Sequence, residues 1–377
     1  VKFSILLPTL NRLRYLRQAV ETVRRQDYDD WEIVISDNAS QEDIAGYVAS
    51  LSDPRIHYSR SETFLPVTDN WNRCLEGASG DYVHMLGVDD GLAPGQLREV
   101  AQQAERYRRP DLLYSLTHHV AYPGVLPGAP EGYVAEVNNA SFLLRAREAR
   151  VLDWDQRLKA VRSALSFRHD FSFDMQHVFV RRDLVEKLRR HGPFFQSPFP
   201  DFYAANALFL RAERVLALPR FWTLRGISPK SYGSFHFVQD EEGGSSYLQG
   251  EAPRPQGEGL VAGSNMNDSW LLAMRCLIAA HGGDFDLEID YARYRRLQAA
   301  YVGSHMPRAQ RRAARGPMKA HERLLSRGAW VGRKLDPLLS RVAARLWGQR
   351  FQPYRVRFLE VRAENLLQAF EALAKGS

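Results

Sequence analysis

The strongest constraint on the fold is an alternation, over the first 116 residues, of short apolar runs with segments whose apolar residues recur at helical spacing. Phe3 to Leu7 is an apolar run ended by Pro8, and Leu13, Leu16, Val20 and Val23 then mark a helix over 13–25. The same reading places strands at 31–36, 56–58, 82–86 and 112–116, and helices at 42–51, 67–76 and 94–107. Such alternation calls for an α/β fold, a mostly parallel sheet covered by helices on both faces. Ligands of open α/β sheets collect beyond the carboxyl ends of the strands, so the residues just after each strand are the functional candidates.

Downstream, Pro and Gly over 121–140 predict a hairpin or surface excursion. Strands at 176–180 and 215–223 and helices at 182–190 and 201–211 follow, with regular structure resuming only at Gln176. Residues 226–267 are polar, glycine-rich and without periodicity, which predicts a flexible lid. Beyond them the chain reads as helical to its end. Three stretches result: 1–116, 117–267 with the lid at 226–267, and a helical basic extension over 268–377.

An apolar share of 45% fits a globular protein with a proper core. The two cysteines, Cys74 and Cys276, form no CxxC pair, which argues against a disulfide framework or zinc ribbon and fits a reducing cytoplasm. Neither a signal peptide nor an apolar run long enough to span a bilayer is expected. The net charge of +7 is uneven: residues 301–377 carry 16 Lys and Arg against 5 Asp and Glu, so the body before them is mildly acidic.

The strand ends carry the chemistry. They read Pro8-Thr9-Leu10-Asn11-Arg12, then Ser36-Asp37-Asn38-Ala39-Ser40, then Gly80-Asp81-Tyr82 leading into Leu86-Gly87-Val88-Asp89-Asp90-Gly91. This ordered set resembles the family-two inverting nucleotide-sugar glycosyltransferases of bacterial surface-polysaccharide type, over roughly residues 1–225. The resemblance implies a GT-A fold, Rossmann-like with a mostly parallel central sheet, here followed by a helical C-terminal region. It also implies a nucleotide-sugar donor, a UDP-sugar first among them, a divalent Mn²⁺ or Mg²⁺, and a saccharide or lipid-linked saccharide acceptor. Residues 1–116 would then be the nucleotide-sugar-binding half, and 117–267 the acceptor-binding and catalytic-base half.

A base and ribose need acceptors and donors on rigid strand ends. By the resemblance, Asp37 would accept an imide N–H, with Asn38 beside it, while Pro8, Thr9 and Asn11 would line the base and ribose. Asp37 as a helix cap is a competing role. Asn72 matches a family Asn that contacts the nucleotide, and an ordinary helix-face Asn is the alternative. A departing diphosphate develops negative charge that a divalent cation neutralises, and such a cation needs only one or two carboxylates. The family writes this motif D-x-D-D. Gly87 stands at its first Asp, which leaves Asp89 as metal ligand and donor contact and Asp90 beside it, unless the pair is simply an exposed turn.

The acceptor hydroxyl must also lose a proton to a positioned base. Asp201 matches the Asp of the family's Glu-Asp motif, with Pro200 in place of Glu. Asp170 and Asp174 are the other candidates, and Asp201 as a plain helix cap is the alternative. In the lid, Lys230 would supply a point charge to the diphosphate, and His236 a metal ligand or phosphate donor.

The tail interleaves its cations with Leu, Val and Trp, most clearly over 335–347, as does a helix lying on an anionic membrane. A helix packed on its own domain is the equal alternative; nucleic acid is not expected, since no known module accompanies the charge. On the first view the protein is cytoplasmic and peripheral on the inner face of the plasma membrane, and a cut near Gly303 frees it while leaving the donor site folded. Two rival functions remain: a degenerate fold acting as a membrane or partner adaptor, and a nucleotidyltransferase. The latter would carry a glycine-rich loop after the first strand, and 8–12 contains no glycine.

Overall fold

The computed structural model describes residues 1–125, 130–138, 148–168, 171–172, 174–229, 231, 235, 243–244, 259–329, 331, 355–360 and 363–376. Its first part follows the alternation. Strands β1 (Phe3–Thr9), β2 (Trp31–Asp37), β3 (Ile56–Arg60) and β4 (Tyr82–Met85) alternate with helices α1 (Leu13–Arg24), α2 (Ile44–Leu51) and α3 (Val67–Glu76). These four strands are parallel, in the order β4-β1-β2-β3. Period-two alternation sends Phe3, Ile5 and Leu7 into the core cluster on one side of the sheet and Leu6 into the cluster on the other. With both faces covered, β1, β2 and β4 are buried almost throughout, whereas the edge strand β3 is largely exposed.

Beyond β4 the sheet is mixed rather than mostly parallel. After β5 (Gly91–Leu92) and α4 (Gln96–Arg106), the chain forms β6 (Leu112–Ala121), β7 (Tyr133–Asn138), β8 (Arg150–Leu152), β9 (Val178–Arg181) and β10 (Val215–Ile227). β9 lies between β4 and β6, antiparallel to both, and β6 and β7 make the hairpin expected near 121–140. Among the described residues one sheet takes strands from both sequence halves.

Helix α5 (Trp154–Leu165) lies where no regular structure was expected. Its signal was present in the sequence: Asp153 and Gln156 close a capping box, each side chain bonding the other's backbone N–H. Helices α6 (Arg182–Leu188) and α7 (Pro200–Arg211) follow, and α7 is buried along its length up to Arg211. Helix α8 (Asn265–His281) packs on α7, followed by α9 (Tyr291–Ser304) and α10 (Arg308–Arg315).

Among the described residues the C-terminal region also contains a strand, β11 (Arg355–Phe358), which adds to β7 at the sheet edge. The last helix, α11 (Leu366–Gly376), returns to the first: the Leu366 N–H donates to Gln18 Oε1 and Arg25 pairs with Glu371 at 2.8 Å. Leu366, Ala369 and Phe370 share a buried cluster with Val120 and Leu224 of the sheet. A cut near Gly303, expected to leave the donor site folded, would therefore remove contacts that this helix makes with α1 and the sheet. The basic amphipathic stretch at 335–347 lies outside the described residues, as does most of 226–267.

Candidate active site

The carboxyl ends of β1 and β4 meet the last residues of β10, and the end of β2 lies beside that of β1. At β1, Asn11 and Arg12 both take positive φ, 56° and 65°, an unusual backbone that turns the chain sharply into α1. The Thr9 hydroxyl donates to the Asn11 carbonyl. Asn11 Oδ1 accepts the N–H groups of Gln41 and Glu42, and its own N–H donates to Ser40 Oγ. Asn11 therefore ties the β1 and β2 exits together.

Asp37, fully buried at the end of β2, accepts the Ser40 N–H at 3.0 Å and the Tyr58 hydroxyl at 2.7 Å. It is not the cap of α2; Asp43 fills that place, accepting the Gly46 N–H. Burial and then Asp37 push the Tyr58 phenol up to about 12. Asn38 binds both the N–H and the carbonyl of Leu65, pinning the loop after β3. Asn72 does the same with Phe195, at 3.0 and 2.9 Å, joining α3 to the loop before α7.

The acidic pair is buried, so the exposed-turn reading fails: Asp89 is 7% exposed and Asp90 4%. Asp90 accepts Gly87 N–H on one oxygen and Gly226 N–H on the other, both at 2.8 Å. Burial and then Asp89 push its carboxyl up to about 7. Asp89 Oδ2 accepts the Ser228 hydroxyl at 2.6 Å and lies 3.6 Å from Arg12 Nη2, which also donates to Ser228. Asp89 Oδ1 has no hydrogen-bond partner among the described residues.

Glycine at 226 is required by this packing. A Cβ there would stand 1.9 Å from the Asp89 carbonyl oxygen, so β10 can lie against the acidic pair only without a side chain.

Opposite the pair, Asp201 sits in the first turn of α7, with Pro200 at the position where its missing N–H costs nothing. Asp201 does not cap its helix; its Oδ1 accepts the N–H of Met175 from another segment, at 3.0 Å. Burial, then the neighbouring Asp174, push its carboxyl well above the ordinary carboxylate range. Arg225 on β10 binds Asp174 Oδ2 at 2.7 Å. Burial opposes its charge, but Asp174, Asp90, Asp201 and Asp89 outweigh that and raise its pKa.

The structure thus gathers Asp89, Asp90, Asp201 and the alternative base candidate Asp174 from the expected set, and adds Arg12, Arg225 and Ser228. Arg12 directly follows the quoted Asn11. Arg225 was missed because the sequence reading ended its strand at 223. Lys230, His236 and Asp170 lie outside the described residues.

A divalent cation can be tested against this donor set. Asp89 has one carboxylate oxygen engaged by Ser228 and near Arg12, and its other oxygen, Oδ1, open. That fits a hard cation completing its shell from phosphate and water. No group of three His, Cys, Asp or Glu among the described residues forms an all-protein cage.

Residues 4–126 match glycosyl transferase family 2. Over 106 residues the chain is 36% identical to the GalNAc(5)-diNAcBac-PP-undecaprenol beta-1,3-glucosyltransferase of Campylobacter jejuni, covering 27% of this chain and 34% of that protein. It is 35% identical over 96 residues to WcaA of Escherichia coli K12, named for glycosyl transfer in colanic acid biosynthesis, covering 25% and 34%. EpsE of Bacillus subtilis, also named as a glycosyltransferase, is 26% identical over 239 residues, covering 58% and 84%. The chain spans about a third of the first two relatives. Its fold matches residues 1–349 of S. aureus TarS, crystallised with UDP-GlcNAc, at a TM-score of 0.51 and 16% identity, over 96% of this chain and 98% of that one.

Proposed function

We propose that this chain, whose residues 4–126 match glycosyl transferase family 2, is an inverting glycosyltransferase using a nucleotide-sugar donor, a UDP-sugar first among them. The acceptor is a saccharide or lipid-linked saccharide of surface-polysaccharide biosynthesis, met at the cytoplasmic membrane face. The carrying observation is the convergence of Asp89, with its open oxygen, and Asp201, whose carboxyl burial pushes well above the ordinary carboxylate range, around Arg12 and Arg225. The UDP-GlcNAc of the TarS crystal and the undecaprenol-linked name of the Campylobacter relative support the donor and acceptor classes.

In this reading residues 1–116 bind the donor and 117–267 supply the acceptor side and base. Pro8, Thr9, Asn11, Asp37 and Asn38 shape the nucleoside site, and Asn72 holds it through the Phe195 loop. Asp89 would hold Mn²⁺ or Mg²⁺ through Oδ1, with Asp90 as the brace that orients it; the cation would neutralise the diphosphate as it departs. Lys230 and His236 are proposed to close on the phosphates. Asp201 takes the acceptor proton: burial raises its affinity for a proton while the Met175 N–H fixes its direction. Arg225 limits that rise and keeps Asp174 in place.

Incubating the purified protein with a panel of radiolabelled nucleotide sugars, Mn²⁺ and membrane extract tests the reading. Cation-dependent transfer or hydrolysis of one donor is expected. A folded protein that binds no nucleotide sugar and turns none over would leave the adaptor reading instead.

A further inference from the structure

Residues 320–329 are helical and carry their amphipathicity inside out. Glu322 is 2% exposed and Ser326 fully buried, while Leu324 is 72% exposed and Leu325 38%. The polar side is turned inward by specific partners. Arg295 forms a two-pronged pair with Glu322 at 2.6 and 2.9 Å, and Arg315 donates to Ser326. Gly303 of α9 lets the two helices touch, since a Cβ there would stand 2.0 Å from the Ser326 carbonyl oxygen. At 100° per residue, Leu324 and Val331 lie opposite the buried pair, flanked by Arg323 and Arg327. A helix stabilised only by burial of its own apolar face would do the reverse.

Charge identifies what covers that face. Between Arg308 and Val331 the chain has seven Lys and Arg and one acidic residue, Glu322, which is buried and already paired. An outward apolar strip rimmed by unopposed cations matches the interface of an anionic phospholipid layer, where leucines enter the acyl boundary and arginines meet headgroups. We propose that the helix at 320–329, together with α10, is the surface by which this protein lies on an anionic membrane. This deepens the membrane-face part of the proposed function, but its test needs no turnover, so the two can fail separately.

The experiment is co-sedimentation of the full chain with vesicles of phosphatidylglycerol and phosphatidylcholine, and of phosphatidylcholine alone, at low and high salt. Binding to the anionic vesicles that salt weakens is expected, each cation at the surface multiplying it by roughly five-fold. The substitutions Leu324→Glu and Leu324→Ser should each weaken it, the first at least ten-fold, with an unchanged melting temperature, because that side chain already faces water. Arg323→Glu with Arg327→Glu should do the same. Three results would overturn the proposal. The first is a parent protein left in the supernatant with anionic vesicles at low salt. The second is vesicle binding indifferent to the leucine substitutions, as for a polyanion site that also takes single-stranded DNA. The third is a leucine variant that melts several degrees lower, which would mean that the chain itself covers this face.

Discussion

The carboxylate of Asp90 fills the space that a side chain at position 87 would need: Asp90 Oδ2 lies 2.8 Å from where a Gly87 Cβ would stand and accepts the Gly87 N–H. This accounts physically for a glycine at the first acidic position of the D-x-D-D pattern. The carboxylate reaches the turn from three residues later and braces it, and its other oxygen holds Gly226 of β10. Restoring the family residue by Gly87→Asp should therefore harm the protein. Displacing Asp90 breaks two hydrogen bonds to a carboxylate, each about 1.5–3 kcal/mol. A melting temperature lowered by several degrees and a lower turnover are expected; an equally stable, more active variant would refute the bracing role.

Asp89→Asn should abolish cation-dependent donor binding while leaving the fold intact. The amide can still accept from Ser228, but it offers a hard cation no charge where protein ligands are few. Calorimetric titration of UDP-sugar with Mn²⁺ reads this directly. Unchanged affinity in a folded variant removes Asp89 as the ligand.

Asp201→Asn should keep donor binding and lower kcat by about 100-fold or more, as when a general base is lost. The raised pKa gives two further signs. The deprotonated form is the working one, so kcat/KM of the parent should rise with pH through a limb above the usual Asp value of about 3.9. For stability, a carboxyl raised by folding favours the protonated state, so its contribution is full below the unfolded pKa and is lost as pH climbs through the folded one. The variant has nothing to ionise and can keep the Met175 bond, so its melting temperature should gain on the parent as pH rises from 4 to 8. A kcat within a few-fold of the parent would shift the base to Asp174.

Arg225→Met should move the same pH–rate limb to higher pH. Without the guanidinium, Asp174 and Asp201 face each other with no cation from β10 between their charges. Arg225→Lys should recover part of the position and part of the rate. A limb that does not move while the rate falls would assign Arg225 to substrate binding alone.

The donor half was legible because its signals are local. Period-two apolar runs, helical spacing and strand-end motifs need no knowledge of distant residues, and β1, α1, β2 and α3 fall where those signals put them. The pieces that were missed depend on partners far along the chain. Arg225 and Ser228 matter only because β10 lies against the acidic pair through Gly226. Asn38 and Asn72 read as ligand contacts in sequence, yet their amides are engaged by the backbones of Leu65 and Phe195, which spacing cannot reveal. The strand at 355–358 was read as part of a helical tail because its pairing edge, β7, is more than 200 residues away. The capping box at Asp153 is different: its two partners, Asp153 and Gln156, are three residues apart, so its signal is local and legible in the sequence.

The return of the last helix to the first gives the final prediction. Phe370 and Leu366 are buried in a cluster with Val120, Leu224 and Ile227, so α11 completes the side of the sheet that carries β10 into the acidic pair. Phe370→Ala should cost about 3–5 kcal/mol, the usual loss for a buried phenylalanine that leaves a cavity. Cutting the chain near Gly303 removes this contact together with β11, the Arg25–Glu371 pair and the Leu366–Gln18 bond, and should lower the melting temperature further. Donor affinity should fall with it, because β10 supplies Gly226, Ser228 and Arg225 to the site. Thermal melts and UDP-sugar titrations of the point variant and the truncation check this. A truncated protein that melts with the parent and binds donor equally well would show that α11 is a passenger, and that the site stands on residues 1–303 alone.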